Sequence, residues 1–403
     1  MSDTQAIVIG GGIAGCLTAC QLADAGVRVL LVEQDASLMN GASRWNDGKI
    51  HLGYTFNGTP SLVTASLLIR GSGVFFPTVE RALGSALPEA AVGQPVMYLV
   101  DRGTMVPREA LWERAQATHD LTRRAMDALP GLCAYPGLPN GRLERVEPAR
   151  AEELTGLEGV VAAWRTPEVH VAPRVVADAL ARAVTGRSVP VLHERVTWVG
   201  SHHEGWAVRT SSGDTISAPV VVNCSWEGRP TLDRQVAASD EPISIRYKYA
   251  LFGRGVHALA DVAPSTRILG RYGDVVRHPN GDAYLSWYPA GLVARSHDGS
   301  PPDLPPLDPE AMIKRTLAGL GISESILDEQ GATWDVRGGY VVAHGHGDID
   351  HVGSPLHHRD RPAVTELRPG YLTVDTGKYT LGPMMALRAS AMAARHLGVA
   401  PAS

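Results

Sequence analysis

Apolar residues run unbroken over residues 6–9, recur at helical spacing over 13–25, and dominate again over 27–32, where only Arg28 interrupts them. This pattern predicts strand, helix and strand, with Gly26 closing the helix where a left-handed cap is wanted. Helical spacing returns over 172–184, and Pro173 suits a first helical turn. Short alternating runs follow at 189–192, 196–199, 206–210 and 214–217, the last two joined by the tight turn "SSGD". A run at 219–223, three valines between Pro219 and Asn223, reads as a buried strand. Residues 241–288 alternate aromatic, charged and β-branched side chains, as antiparallel strands do. A proline-rich loop and a short helix over 311–319 come next. A last helix opens at Gly382 and Pro383, with Met385, Leu387, Met392 and Leu397 as its expected apolar face. The order of elements predicts an α/β chain whose first unit is completed by later segments. We expect a discontinuous cofactor domain from residues 1–75, 145–235 and 330–403, and a substrate domain from 76–144 and 236–329.

Composition narrows the class. The 403 residues are 44% hydrophobic and 20% charged, with 43 Gly and 28 Pro but no long biased tract, which suits a loop-rich soluble enzyme. A net charge of -5 gives no general attraction to nucleic acid or an anionic membrane. No apolar run approaches the roughly 20 residues of a membrane span. The first strand begins too close to Met1 for a secretory signal, so a cytoplasmic protein is expected. Cys16, Cys20, Cys133 and Cys224 show no zinc spacing and are expected to be reduced and buried. The stretch "HGHGDIDHVGSPLHHR" is rich in histidine, but its spacing fits no metal motif and a loop is expected. Nothing in the pattern sets an oligomeric state.

The most informative stretch is "VIGGGIAGCLTACQLADAGVRVLLVE". Gly10, Gly12 and Gly15 form G-x-G-x-x-G between strand and helix, and Glu33 ends the second strand. Such glycines allow a tight turn, close approach of a pyrophosphate and close packing of the helix on the strand. The helix N-terminus then faces the phosphates, and Glu33 is placed for ribose hydroxyls. The fingerprint implies a dinucleotide without choosing between FAD and NAD. An acidic Glu33 argues against a 2′-phosphate.

Two further segments favour a flavin: "GASRWNDGKIHLGYTF" after the second strand, and "VDTGKYTLGPMMALRASAMAARHLG" near the end. With these the chain resembles the D-amino acid oxidase/glycine oxidase superfamily of FAD enzymes. Gly48, Ile50, His51 and Gly53 match a G-x-I-H-x-G core like that of L-2-hydroxyglutarate dehydrogenase. Gly377, Lys378 and Thr380 are similar to a segment of FAD-dependent glycerol-3-phosphate dehydrogenase. The resemblance implies a glutathione-reductase-type Rossmann FAD domain with an antiparallel-sheet substrate domain. It assigns FAD contacts to Gly10, Gly12, Ile13, Ala14, Gly15, Glu33 and Gln34 of the first unit. Further contacts fall on Ser43, Arg44, Gly48, Lys49, Ile50, Val196, Cys224, Gly377, Lys378, Tyr379 and Thr380. Trp45 stands where covalent members carry their attachment histidine, so non-covalent FAD is expected.

The family removes a hydride from a carbon bearing oxygen or nitrogen and places it on flavin N5. His51 is the expected general base, with packing against the flavin as its alternative. Lys378 and Lys49 are candidates to stabilise reduced-flavin charge, although Lys49 also suits a solvated turn. Arg337 in "TWDVRGGYVV" is the expected clamp for a substrate carboxylate, or else part of a structural ion pair. Arg44, Arg246, Tyr284 and Tyr288 are lesser candidates for lining the pocket. The leading function is an oxidase or dehydrogenase acting on a small polar substrate. A NAD(P)H-using hydroxylase and a non-catalytic flavin protein are the alternatives.

Overall fold

A computed structural model describes residues 4–203 and 205–402. Its first sheet has six strands in the order Val364–Arg368, Tyr371–Val374, Val220–Asn223, Ala6–Ile9, Val29–Glu33 and Val191–His193. All neighbours are parallel except the first pair. The unbroken apolar runs are explained by burial on both faces. Ala6, Val8, Val29 and Leu31 face a core shared with the helices Ile13–Asp24 and Gly382–His396. Ile7, Ile9, Leu30 and Val32 face a three-stranded sheet, Val196–His202, Gly205–Thr210 and Thr215–Ala218.

The second large sheet has nine strands and is mostly antiparallel. Its path runs Leu292–Ser296, Ile243–Arg254, Ala283–Trp287, Gly273–Arg277, Ser265–Arg267, Met97–Asp101, Val160–Arg165 and Glu144–Val146. The ninth strand, Thr333–His344, pairs along its whole length with Ile243–Arg254. Val160–Arg165 and Thr333–His344 thus belong to this sheet, although both fall in segments expected for the cofactor part. Their hydrogen-bond partners, not their neighbours in sequence, decide this.

Two long helices, Val63–Leu83 and Arg108–Ala128, escape the sequence pattern. The first contains Gly71, Gly73 and Pro77, which read as breakers. Packing explains the glycines: a Cβ on Gly71 would lie 2.4 Å from Leu381, and one on Gly73 would press on Leu132. In the last helix the buried face is mainly alanine, with Ala386, Ala389, Ala393 and Ala394 joined by Met384 and Met385. Leu387 and Met392 are only half-buried, because this helix packs closely on Ile13–Asp24. All four cysteines are free, and Cys133 is exposed rather than buried. No described helix is long and apolar enough to cross a membrane.

Candidate functional site

The glycine turn shows why its residues are needed. Gly10 adopts φ +97, and a Cβ on Gly15 would lie 1.8 Å from the Gly10 carbonyl oxygen. Only glycine lets the helix start this close to the strand. Ser43 Oγ accepts from Ile13 N–H at 3.0 Å, tying the loop after the second strand to the helix N-terminus. Glu33 accepts from Gly11 N–H at 2.5 Å and from Asp35 N–H at 2.8 Å, while burial raises its pKa.

These groups border a cavity of about 520 Å³. Of the expected cofactor contacts, Gly10, Gly12, Ile13, Ala14, Glu33, Gln34, Ser43, Val196, Cys224 and Tyr379 line it. Trp226, Glu227 and Tyr340 line it as well, and sequence reasoning missed them. A single 3₁₀ turn, Trp226–Gly228, carries the first two, and the Trp226 indole Nε1–H donates to the Tyr340 carbonyl at 2.9 Å. Burial pushes the Glu227 carboxyl up to about 7. The "SWEG" run bears no pattern that marks a cavity wall, so only the fold reveals it.

Gly15, Arg44, Gly48, Lys49, Ile50, Gly377, Lys378 and Thr380 are not among its lining residues. Arg44 instead forms an ion pair with Asp178. Gly48, at φ +73, starts a short antiparallel bridge in which Lys49 lies opposite His170. A Cβ on Gly48 would sit 1.9 Å from the Val171 carbonyl oxygen. The bridge lays the 48–53 segment against the loop that carries Glu168.

His51 is held from three sides. Its backbone N–H donates to Thr380 Oγ1 at 2.9 Å, and its carbonyl accepts from Ser72 Oγ at 2.8 Å. Its Nδ1 lies 3.0 Å from Glu168 Oε1. Glu168 is fully buried and also accepts from Leu52 N–H at 2.7 Å and from the Tyr98 hydroxyl. A carboxylate only accepts, so Nδ1 carries a hydrogen, and in the neutral imidazole the lone pair is then on Nε2. Nε2 has no hydrogen-bond partner among the described residues. Glu168 was invisible to sequence reasoning: it lies 117 residues from His51, in a loop with no motif.

Lys49 corrects the expectation of a solvated turn. It is neither solvated nor free, since Nζ is buried 2.5 Å from Asp274 and 3.1 Å from Asp47. Burial opposes all three charges, but their attraction prevails, raising Lys49 and lowering both aspartates from their ordinary values. Ser286 Oγ completes the set at 2.6 Å from Asp274. Lys49 thus fastens the His51 segment to the large sheet.

Lys378 is half-buried, with Nζ 5.3 Å from the centre of the Phe56 ring, whose other neighbour is the His51 ring at 6.3 Å. It makes no ion pair among the described residues. Burial, then the charge of Arg359, pulls its pKa down to about 8. Arg337 stands apart from this group: it is exposed, lies over the Trp45 ring at 5.5 Å and is 3.9 Å from Asp335. The histidine-rich loop is dispersed, with His344 Nε2 2.7 Å from Asp375 and His357 near Tyr272. Among the described residues no group of three or more His, Cys, Asp or Glu is placed to hold a metal.

Comparison with known proteins places these features. The chain is 34% identical to glycerol 3-phosphate oxidase of Mycoplasma pneumoniae over 84 residues, which span 21% of each protein. A solved glycine oxidase from Geobacillus kaustophilus superposes with a TM-score of 0.69 at 16% identity, covering 97% of this chain and 94% of that one. The reduced L-α-glycerophosphate oxidase of Mycoplasma pneumoniae, solved with FAD bound, superposes with a TM-score of 0.67 at 16% identity, covering 98% and 96%. Residues 5–285 match the family model described as FAD dependent oxidoreductase, DAO. With its parallel sheet, glycine turn and adjoining cavity, the chain belongs to that family and is an FAD-dependent oxidoreductase.

Proposed function

We propose that this enzyme oxidises the CH–OH carbon of a small polar substrate, with His51 as general base. The observation that carries the reading is the His51–Glu168 pair. A buried carboxylate fixing Nδ1–H leaves Nε2 able to take a hydroxyl proton, which an alcohol must lose as its hydride departs. An amine makes less demand for such a base, because its nitrogen lone pair assists hydride loss.

The cavity beside the helix N-terminus fits a dinucleotide: a Cβ on Gly10 or Gly15 would strike backbone, and Glu33 lines the same cavity, tied to the turn through Gly11 N–H. Gly10, Gly12, Ile13, Ala14 and Ser43 would hold the pyrophosphate side, and Glu33 and Gln34 the ribose side. FAD, when bound, supplies the hydride acceptor. Glu168 orients His51, His51 Nε2 removes the proton, and Lys378 offers positive charge across the Phe56 ring. Thr380 and Ser72 fix the His51 backbone, so little reorganisation is needed as charge develops.

Anaerobic mixing of the yellow protein with panels of hydroxy acids, sugar derivatives and amino acids tests this. Bleaching of the flavin by a hydroxy compound is expected, at a rate that rises with pH through one ionisation. His51→Asn should remove that ionisation. Bleaching by amino acids alone would overturn the alcohol reading. Reduction only by NAD(P)H would point to a hydroxylase, and no reduction by any of these to a non-catalytic role.

A further inference from the structure

The space beyond Phe56 holds more positive charge than the protein balances. Arg246, on the strand Ile243–Arg254, and Arg359, in the loop before Val364, are 4% and 7% exposed. Neither forms an ion pair with a carboxylate among the described residues. Arg246 Nη1 donates to the Tyr288 hydroxyl at 2.9 Å. Arg359 Nη1 donates to the Leu356 and His358 carbonyls, each at 2.7 Å. The Nε atom of each is buried without a partner. Among the described residues neither Nη2 has a protein acceptor. Buried guanidiniums are almost always satisfied, so these unfilled donors call for an acceptor from outside the chain.

Nearby acids do not supply it. Asp375 acts on Arg359 but is engaged by Arg229 Nη2 at 3.1 Å and His344 Nε2 at 2.7 Å, and Asp360 is exposed. Burial, and then repulsion from Arg246, pulls Arg359 down to about 10. Lys378 is a third cation without an ion pair. Lys248 is not counted, because it lies 3.8 Å from Asp274. Of the three cations Lys378 adjoins His51 through the Phe56 ring; Arg359 acts electrostatically on Lys378 and Arg246 on Arg359, and the Tyr288 hydroxyl that Arg246 binds belongs to a ring 5.3 Å from Lys248 Nζ.

We propose that Arg246, Arg359 and Lys378 form a binding site for an acid carrying two negative charges, a dicarboxylate or a phosphate ester. Guanidinium forks match both oxyanions, and a single charge would leave two of the three cations unbalanced. The site takes over the role expected of Arg337. That the bound acid presents its oxidisable carbon to His51 rests on the proposed alcohol oxidation; the anion site itself does not.

The test uses FAD-loaded enzyme and non-reacting probes: glutarate, inorganic phosphate and butyrate. Binding is read by perturbation of the flavin spectrum and by the rise in melting temperature on ligand addition. Glutarate or phosphate should bind at least about tenfold more tightly than butyrate. Arg246→Met and Arg359→Met should each weaken the dianion by about tenfold to a hundredfold, as the loss of a charged hydrogen bond implies. The exposed Arg361→Met serves as control and should change nothing. Arg246→Lys and Arg359→Lys keep the charge, protect the fold and should still lose affinity through loss of the fork. Preference for glutarate identifies a dicarboxylate, and preference for phosphate a phosphate ester. Dianions that bind no better than butyrate, or with equal affinity to the methionine and lysine variants, would overturn the proposal. Dianion binding without bleaching by any hydroxy compound would uphold this site and refute only the reaction.

Discussion

Glu168→Gln is a sharp probe of the base, because the structure dictates how the amide must sit. Leu52 N–H is a fixed backbone donor aimed at Oε2, so the glutamine carbonyl takes that place. The amide nitrogen then occupies the Oε1 position, facing His51 Nδ1 and the Tyr98 hydroxyl. The tyrosine hydroxyl can rotate and accept. The imidazole can accept only by moving its hydrogen to Nε2, which removes the lone pair that serves as base. Stability should therefore fall by only about 1–3 kcal/mol, the scale of one mispaired buried group. Flavin reduction should slow by about 10²- to 10⁴-fold, a barrier increase of about 3–5 kcal/mol. Anaerobic stopped-flow bleaching by a hydroxy substrate measures the rate, and retained FAD checks the fold. Because the two residues act as a unit, the double variant with His51→Asn should be no slower than the slower single. Bleaching at the wild-type rate in Glu168→Gln, or additive losses in the double variant, would refute the dyad.

Other outcomes follow from the site. Acid denaturation should release intact FAD, because Trp45 replaces the attachment histidine. Gly12→Val should lose the cofactor, since its Cβ alone would lie 3.0 Å from Ser43 Oγ; flavin left in the pellet, or full occupancy of the variant, contradicts these. Lys378, at about 8, is charged below that pH and neutral above it. Dianion affinity should weaken as pH rises through about 8, and Lys378→Met should abolish that dependence and lower the flavin potential, both read by spectral titration.

The parts legible in the sequence were those whose partners lie close along the chain. Strand, glycine turn, helix and Glu33 all lie between Ala6 and Glu33 and act on one another directly, so their spacing announces them. His51, Lys378 and Thr380 were legible through resemblance of their own segments. Glu168 was not, because its meaning depends on a bridge between residues 48–50 and the loop it occupies. Arg246 drew notice only as a lesser candidate and Arg359 none, since an unpaired guanidinium is defined by acids that are absent around it. Arg337 attracted attention by position, yet its strand leaves it over Trp45 in solvent. Lys49 resembled a turn residue, and its two carboxylate partners come from residues 2 and 225 positions away.

The hydrogen bond from His51 N–H to Thr380 Oγ1 spans 329 positions. During synthesis the glycine turn is made long before the strand at 220–223 that pairs beside it, the next strand at 371–374 and the covering helix at 382–396. The nascent chain therefore cannot arrange its base until Thr380 has been made. Such distant closure slows folding and leaves apolar strand edges open in the meantime. It also keeps a half-made chain from doing redox chemistry, and makes cofactor capture a late step of maturation.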